Sequence, residues 1–241
     1  MTTYLEQENE KDRELTYLIP EIVALLGGII SGVLIAIPIS YLLDITPSLG
    51  PVIIAPLVEE PCKMVGVIFL ALYYPISINS KRRGLILGSM AGIGFAFTEN
   101  LLYSLVVPQA VLVRAVIPVL IHICASATAA IGMVFVSQKR IHRSLISSTG
   151  IFKQIGSKET MTFLSIAIFF HFMNNFILTI GLGDLFWVAN MILDFFILYK
   201  LYLYLPDKLS GIEVTSSKEL FKAVFSKRKK QDHQTKMSDF K

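Results

Sequence analysis

The sequence predicts an all-α fold: a polytopic membrane helix bundle of about six transmembrane helices with both termini cytoplasmic. Three observations predict it. Hydrophobic residues make up 54% of the chain and the mean hydropathy is +0.62. Apolar runs long enough to cross a hydrocarbon core alternate with short charged segments, the polytopic pattern. Basic residues also alternate sides. With six spans, the N-terminal segment, the 75–83 link, the 137–159 loop and the 206–241 tail share one side and hold two, three, five and nine Lys or Arg. The links on the other side hold none, Arg114 lying just inside the fourth span. Such a bias sets the basic side toward the cytoplasm. The net charge of +4 therefore belongs to loops and tail. It reads as membrane orientation, and the partner it implies is the lipid bilayer, not nucleic acid.

Residues 1–16 form a polar N-terminal segment with Glu6, Glu8, Glu10, Asp12 and Glu14. A cleaved signal peptide has a basic start and a short apolar core, so the first span, about 17–43, is expected to be retained. It carries Gly27, Gly28 and Gly32, which let another helix come close. Glu21 lies near its end, within reach of the headgroups. The second span, about 51–74, contains Glu59-Glu60-Pro61-Cys62-Lys63. The third, about 84–107, has Gly84, Gly88 and Gly92 at four-residue spacing, a face for tight helix contact. It ends in Phe95-Ala96-Phe97-Thr98-Glu99-Asn100. The fourth, about 111–136, carries His122. The fifth, about 160–180, carries His171, Asn174 and Asn175. The sixth, about 184–205, carries Asn190 and Asp194. The span region 17–205 is read as one membrane domain, and 206–241 as a basic tail, disordered or lying on anionic lipid. Cys62 and Cys124 lack CxxC spacing and read as small core residues, which excludes a disulfide or zinc–cysteine framework.

Ionisable residues inside a membrane helix are expensive: about 2.5–3.5 kcal/mol each at the helix centre, even on insertion scales. Three of them within five residues of the second span require partners. With about 1.5 Å of rise per residue, Glu59 and Glu99 lie roughly 12 Å from the outer face, His171 roughly 14 Å, Asp194 roughly 15 Å and His122 roughly 16 Å. Asn175 is shallower, at roughly 8 Å. Four helices thus bring an acid or an imidazole to one layer, where unrelated polar residues would scatter. Lys63 can pair with Glu59 at i,i+4 or Glu60 at i,i+3. Asp194 belongs to no motif and is a candidate to orient a histidine.

Such a cluster supports two chemistries. A carboxylate in a low-dielectric site can act as general base for water, with imidazoles and an amide donating to a developing oxyanion. Alternatively, Glu60, Glu99, His122 and His171 can hold a metal ion such as zinc, which activates water. Both lead to hydrolysis inside the membrane, with or without metal. HExxH and GxSxG are absent from the sequence and no Ser–Lys pair is convincing, which removes the common metalloprotease and serine hydrolase motifs. Buried Glu, His and Lys also mark proton relays, so an ion-coupled carrier or a non-catalytic membrane partner is the alternative. A carrier is expected to show repeated halves, and the polar cluster here lies toward one face.

These residues carry a resemblance. Glu59-Glu60-Pro-Cys-Lys63 fits Glu-Glu-x-x-Lys, and Phe95 to Asn100 fits Phe-x-x-x-Glu-Asn. His122, then His171 with Asn175 as His-x-x-x-Asn, complete a set in order across about residues 51–180. The chain resembles the PrsW-type intramembrane proteases, which are distantly similar to the type II CAAX prenyl endopeptidases and Abi-like proteins. In that wider group the first motif is Glu-Glu-x-x-x-Arg and the second ends in His; this chain follows the PrsW form at both. The resemblance implies an intramembrane peptidase of the cell membrane that cleaves membrane-anchored protein substrates. It implies that Glu59, with Glu60 and Glu99 beside it, activates water, that His122 and His171 assist, and that Asn175 stabilises the oxyanion.

Overall fold

The computed structural model describes residues 4–39, 50–106, 108–110, 116–142 and 150–205. The tail, Arg114 and Arg143 lie outside the described residues, and the expectation of a disordered tail lies there with them. Among the described residues the chain is helical throughout, with no strand. Helix α1, Tyr4–Ser31, starts well before the apolar run. Its acidic segment is rich in Glu, Gln, Lys and Leu, all strong helix formers, so the helix extends through residues read from the sequence as a separate polar segment. A π-helical turn, Gly32–Ala36, continues it.

The second apolar run is not one rod. A π-helical turn, Gly50–Ile54, leads into α2, Ala55–Lys63; Met64 interrupts, and α3, Val65–Tyr73, follows. Pro56 and Pro61 remove backbone donors from this stretch. Met64 N–H reaches the Pro61 carbonyl at 3.2 Å, an i→i−3 bond, a tightened last turn. The remaining helices are α4, Lys81–Val106; α5, Ile117–His142; α6, Ile151–Ile155; α7, Lys158–Thr179; and α8, Asp184–Tyr204. Five helices are individually long and apolar enough to span a bilayer: Leu18–Ile39, Lys81–Leu105, Pro118–Ile141, Lys158–Thr179 and Leu185–Tyr204. The chain is a multi-pass membrane protein. Its exposed surface fits this, since Leu34, Ile76, Leu105 and Leu185 stand in the open, an apolar exterior that lipid rather than water covers.

Helix α5 is the most buried of the long helices and α8 the least. Helix α5 packs between α4 and α7, and α1 covers the other side of α4. Leu70, Leu87, Ile131 and Phe163 are fully or almost fully buried in the shared core, and Phe135 stacks on Phe163 with centroids 5.9 Å apart. Polar ties close the end that carries Lys81-Arg82-Arg83. Glu21 is held by Arg83 instead of reaching for headgroups. Lys81 donates to the Leu205 carbonyl at 2.7 Å, and Lys139 pairs with Glu159 at 2.8 Å.

The glycine face of α4 meets α5 as its spacing predicts. A Cβ at Gly92 would lie 2.5 Å from the His122 carbonyl oxygen and 3.0 Å from the Ile123 Cα. Backbone stands in the way, so no rotamer relieves the clash. Gly92→Ala is expected to push α5 outward at His122 and lower stability by about 1–3 kcal/mol, the cost of overpacking. A thermal unfolding scan in detergent checks this; an unchanged midpoint would show that α4 and α5 are not in register here.

Candidate functional site

Four helices deliver the site. On α2, Glu59 and Glu60 are adjacent and therefore about 100° apart around the axis, while Lys63 follows one turn later. Helix α4 contributes Phe95 and Glu99, which share a face at i,i+4. Helix α5 contributes His122 and α7 contributes His171. All of the polar groups are buried except Glu99, whose side chain is 18% exposed, against 11% for Glu59 and 0% for Glu60. The layer inferred from helix depth does converge: Glu59, His122 and His171 each offer a ligand atom, and these atoms all lie within 4.8 Å of one another.

Lys63 is the hub. Its Nζ lies 2.5 Å from Glu60 Oε1, 2.7 Å from His122 Nδ1, and 3.5 Å from both Glu59 Oε2 and His171 Nδ1. It also stands 4.5 Å from the centre of the Phe95 ring, a cation–π distance. An ammonium has donors only. His122 Nδ1 must therefore accept, which puts the ring proton on Nε2, where it donates to Glu99 Oε2 at 2.7 Å. The same reasoning settles His171. Its Nδ1 lies 2.7 Å from Glu60 Oε1, a carboxylate oxygen that accepts, so Nδ1 carries the proton. The lone pair on His171 Nε2 then faces Glu59 Oε2, 3.8 Å away. Each histidine is thus oriented by a carboxylate on one nitrogen, the arrangement that fixes ring tautomer in metal sites.

Glu59 Oε2 is buried and makes no hydrogen bond, its nearest cation being Lys63 Nζ at 3.5 Å. A buried acceptor left unmatched is costly. Here it stands opposite a second lone pair, so a positive charge or a donor placed between them relieves both. Two imidazoles and one carboxylate are also the protein ligands of many catalytic zinc sites. The residues therefore fit a divalent metal by donor chemistry and by the unmatched oxygen. Glu60 and Glu99, read from the sequence as ligand candidates, contact the histidine nitrogens opposite those available to a ligand.

Asn175 is half-buried and outside this layer. Its Nδ2 donates to the Pro51 carbonyl at 2.7 Å. In the i→i+5 pattern of the Gly50–Ile54 turn the donor to that carbonyl would be residue 56, a proline with no N–H, and Asn175 replaces it. The contact ties α7 to the start of the glutamate helix. Asp194 does not reach a histidine. It accepts from Asn174 Nδ2 at 2.7 Å and from Asn190 Nδ2 at 3.4 Å, so it holds α8 to α7 one turn beyond His171. Asn174 is fully buried and takes part in helix packing through this contact with Asp194. Asp194→Ala is expected to lower stability by about 1–3 kcal/mol, the loss of a charged hydrogen bond. Thermal unfolding checks it, and metal content should be unchanged. The sequence reading missed Lys63 as a link to both histidines and Phe95 as its ring partner. The depth arithmetic contained the first signal: Lys63 lies only about 6 Å below Glu59.

A helical multi-pass membrane fold with a Glu/His cluster gathered among its helices defines a membrane protein with a polar cluster inside the bundle. A family model described as PrsW family intramembrane metalloprotease matches residues 20–202; the chain belongs to this family, and is thereby a membrane protease by family. No curated protein matches the chain and no solved structure matches it.

Proposed function

We propose that the protein hydrolyses peptide bonds of membrane-anchored proteins, in the cell membrane, at the Glu59–His122–His171 cluster. The convergence of Glu59, His122 and His171, whose ligand atoms all lie within 4.8 Å of one another, carries this reading. On this reading Glu59, His122 and His171 would hold zinc. When bound, such an ion supplies Lewis-acid chemistry, activating water and polarising the scissile carbonyl. The protein does the rest. Glu60 keeps the His171 proton on Nδ1 and Glu99 keeps the His122 proton on Nε2, so both rings present lone pairs to the same space. Glu99, the most exposed of the three carboxylates, accepts the His122 Nε2 proton at 2.7 Å and so orients that ring from its far side. One N–H of Asn175 is held by Pro51, which orients its second N–H toward a developing oxyanion. Phe95, packed 5.4 Å from His122 by ring centroid, excludes bulk water from the inner side.

Cleavage of a panel of single-span membrane proteins by the purified protein in detergent tests the reading. Wild type is expected to cleave at least one, and His171→Ala to cleave none at equal expression. Cleavage by His171→Ala at the wild-type rate overturns the assignment of the site. We further propose six spans, with the split α2–α3 segment as one of them and both termini cytoplasmic, on the strength of the Lys/Arg bias. Lys139, with a side chain 45% exposed, reports the orientation. Lys139→Cys, in a background with Cys62 and Cys124 replaced, is expected to react with an impermeant maleimide only in inverted vesicles. Labelling of intact cells would reverse the topology.

A further inference from the structure

We infer that the Lys63 ammonium is the resident cation of the Glu59–His122–His171 cage, and that a divalent ion enters only by displacing it from His122 Nδ1. The inference rests on the metal reading above and goes beyond it by naming what the ion competes with.

A neutral imidazole has one lone pair, and Nε2 of His122 carries the proton toward Glu99. The single lone pair on Nδ1 accepts from Lys63 Nζ at 2.7 Å. One lone pair serves one partner. A metal ion cannot use it while Lys63 does. The same ammonium lies 3.5 Å from Glu59 Oε2, the oxygen that is the second ligand candidate. Lys63 therefore stands against two of the three ligands; it also lies 3.5 Å from His171 Nδ1, but that nitrogen carries its proton toward Glu60, and the outer lone pair of His171 on Nε2 stays clear of it.

The displacement has somewhere to end. Lys63 keeps its contact with Glu60 at 2.5 Å and its place over the Phe95 ring at 4.5 Å when it lets His122 go, because neither partner is a ligand. It also needs no change of proton count. Glu59, Glu60 and Glu99 oppose one ammonium, which with neutral rings leaves two negative charges, the charge of one divalent ion. The ammonium moves and stays an ammonium. The Glu-Glu-x-x-Lys spacing acquires a reason: the lysine at i+3 from Glu60 and i+4 from Glu59 can hand over from one carboxylate to the other without leaving the turn.

The test is cobalt binding to chelator-stripped protein in detergent, read by visible d–d absorption and by metal content after desalting. Wild type, Lys63→Arg and Lys63→Met are compared. Lys63→Met leaves Glu60 with one fewer partner and can fail to fold, so Lys63→Met/Glu60→Gln, which removes both charges, is measured beside it. The inference expects Lys63→Met, where it folds, to bind cobalt at least about tenfold more tightly than wild type, and Lys63→Met/Glu60→Gln at least about tenfold more tightly than Glu60→Gln measured beside it, with Lys63→Arg gaining nothing because a cation remains. Cobalt binding by wild type with less than a twofold gain in the folded Met variants overturns the inference and leaves the metal reading standing. No cobalt bound by any of the proteins removes both.

Discussion

Glu59→Gln is expected to abolish cleavage and Glu99→Gln to lose it only until zinc is saturating, and metal content separates them. Glu59 Oε2 makes no hydrogen bond and stands opposite His171 Nε2. Replacing that carboxylate by an amide removes one of three charged or lone-pair ligands, so zinc is lost and cleavage falls to background. Glu99 instead stands behind His122, donating nothing to the cage and accepting the Nε2 proton at 2.7 Å. Glu99→Gln keeps an oxygen for that proton. Its metal affinity is expected to fall only about 10- to 100-fold, the usual effect of losing an outer orienting carboxylate, and saturating zinc refills it. The rate at saturation is expected to return to near that of wild type, because Glu99 touches the far side of His122. Glu60→Gln is expected to behave alike, because Glu60 is fully buried behind His171. A rate that stays low in zinc-saturated Glu99→Gln would place Glu99 in the reaction itself.

Much of this site was legible before any coordinates, and for one reason. A charge in hydrocarbon needs a partner, so helix rise and loop charge together place Glu59, Glu99, His122 and His171 in a common layer. The structure brings that layer together. What stayed hidden was the direction of each side chain within the layer. Helix depth ranks residues along the membrane normal but says nothing about rotation, and rotation separates Glu59, which faces the cage, from Glu60, which faces the back of His171. The same limit misdirected Asp194: its depth suits a histidine partner, but α8 turns it toward Asn174. The break at Met64 was hidden for a different reason. Apolarity runs unbroken from Val65 to Tyr73, so composition reads one span where proline chemistry makes two helices. Asn175 shows the reverse case. Its reach to Pro51 depends on a π-helical turn in which the expected donor is a proline, a local register that hydrophobic periodicity does not encode.

Lys63 and Glu60 are expected to be the largest single contributions to stability in the bundle. Both side chains are fully buried, and their charged atoms lie 2.5 Å apart. A buried pair of this kind adds little over an apolar pair of equal volume, since desolvation opposes attraction, yet removing one partner costs about 3–5 kcal/mol because the other charge is stranded. The strandings differ here. Lys63→Met leaves Glu60 with His171 alone, and its Oε2 already lacks a partner. Glu60→Gln leaves Lys63 with His122, Glu59 and the Phe95 ring. Lys63→Met is therefore expected to be the more damaging of the two. The double variant Lys63→Met/Glu60→Gln is expected to be more stable than Lys63→Met alone, a reversal that simple additivity of two losses forbids. Reversible unfolding in mixed detergent, run on metal-free protein, measures all four corners of the cycle. Single variants each within about 0.5 kcal/mol of wild type, the range of ordinary surface changes, would mean that water reaches this pair and screens it, and that the cage is open on its inner side as well as its outer one.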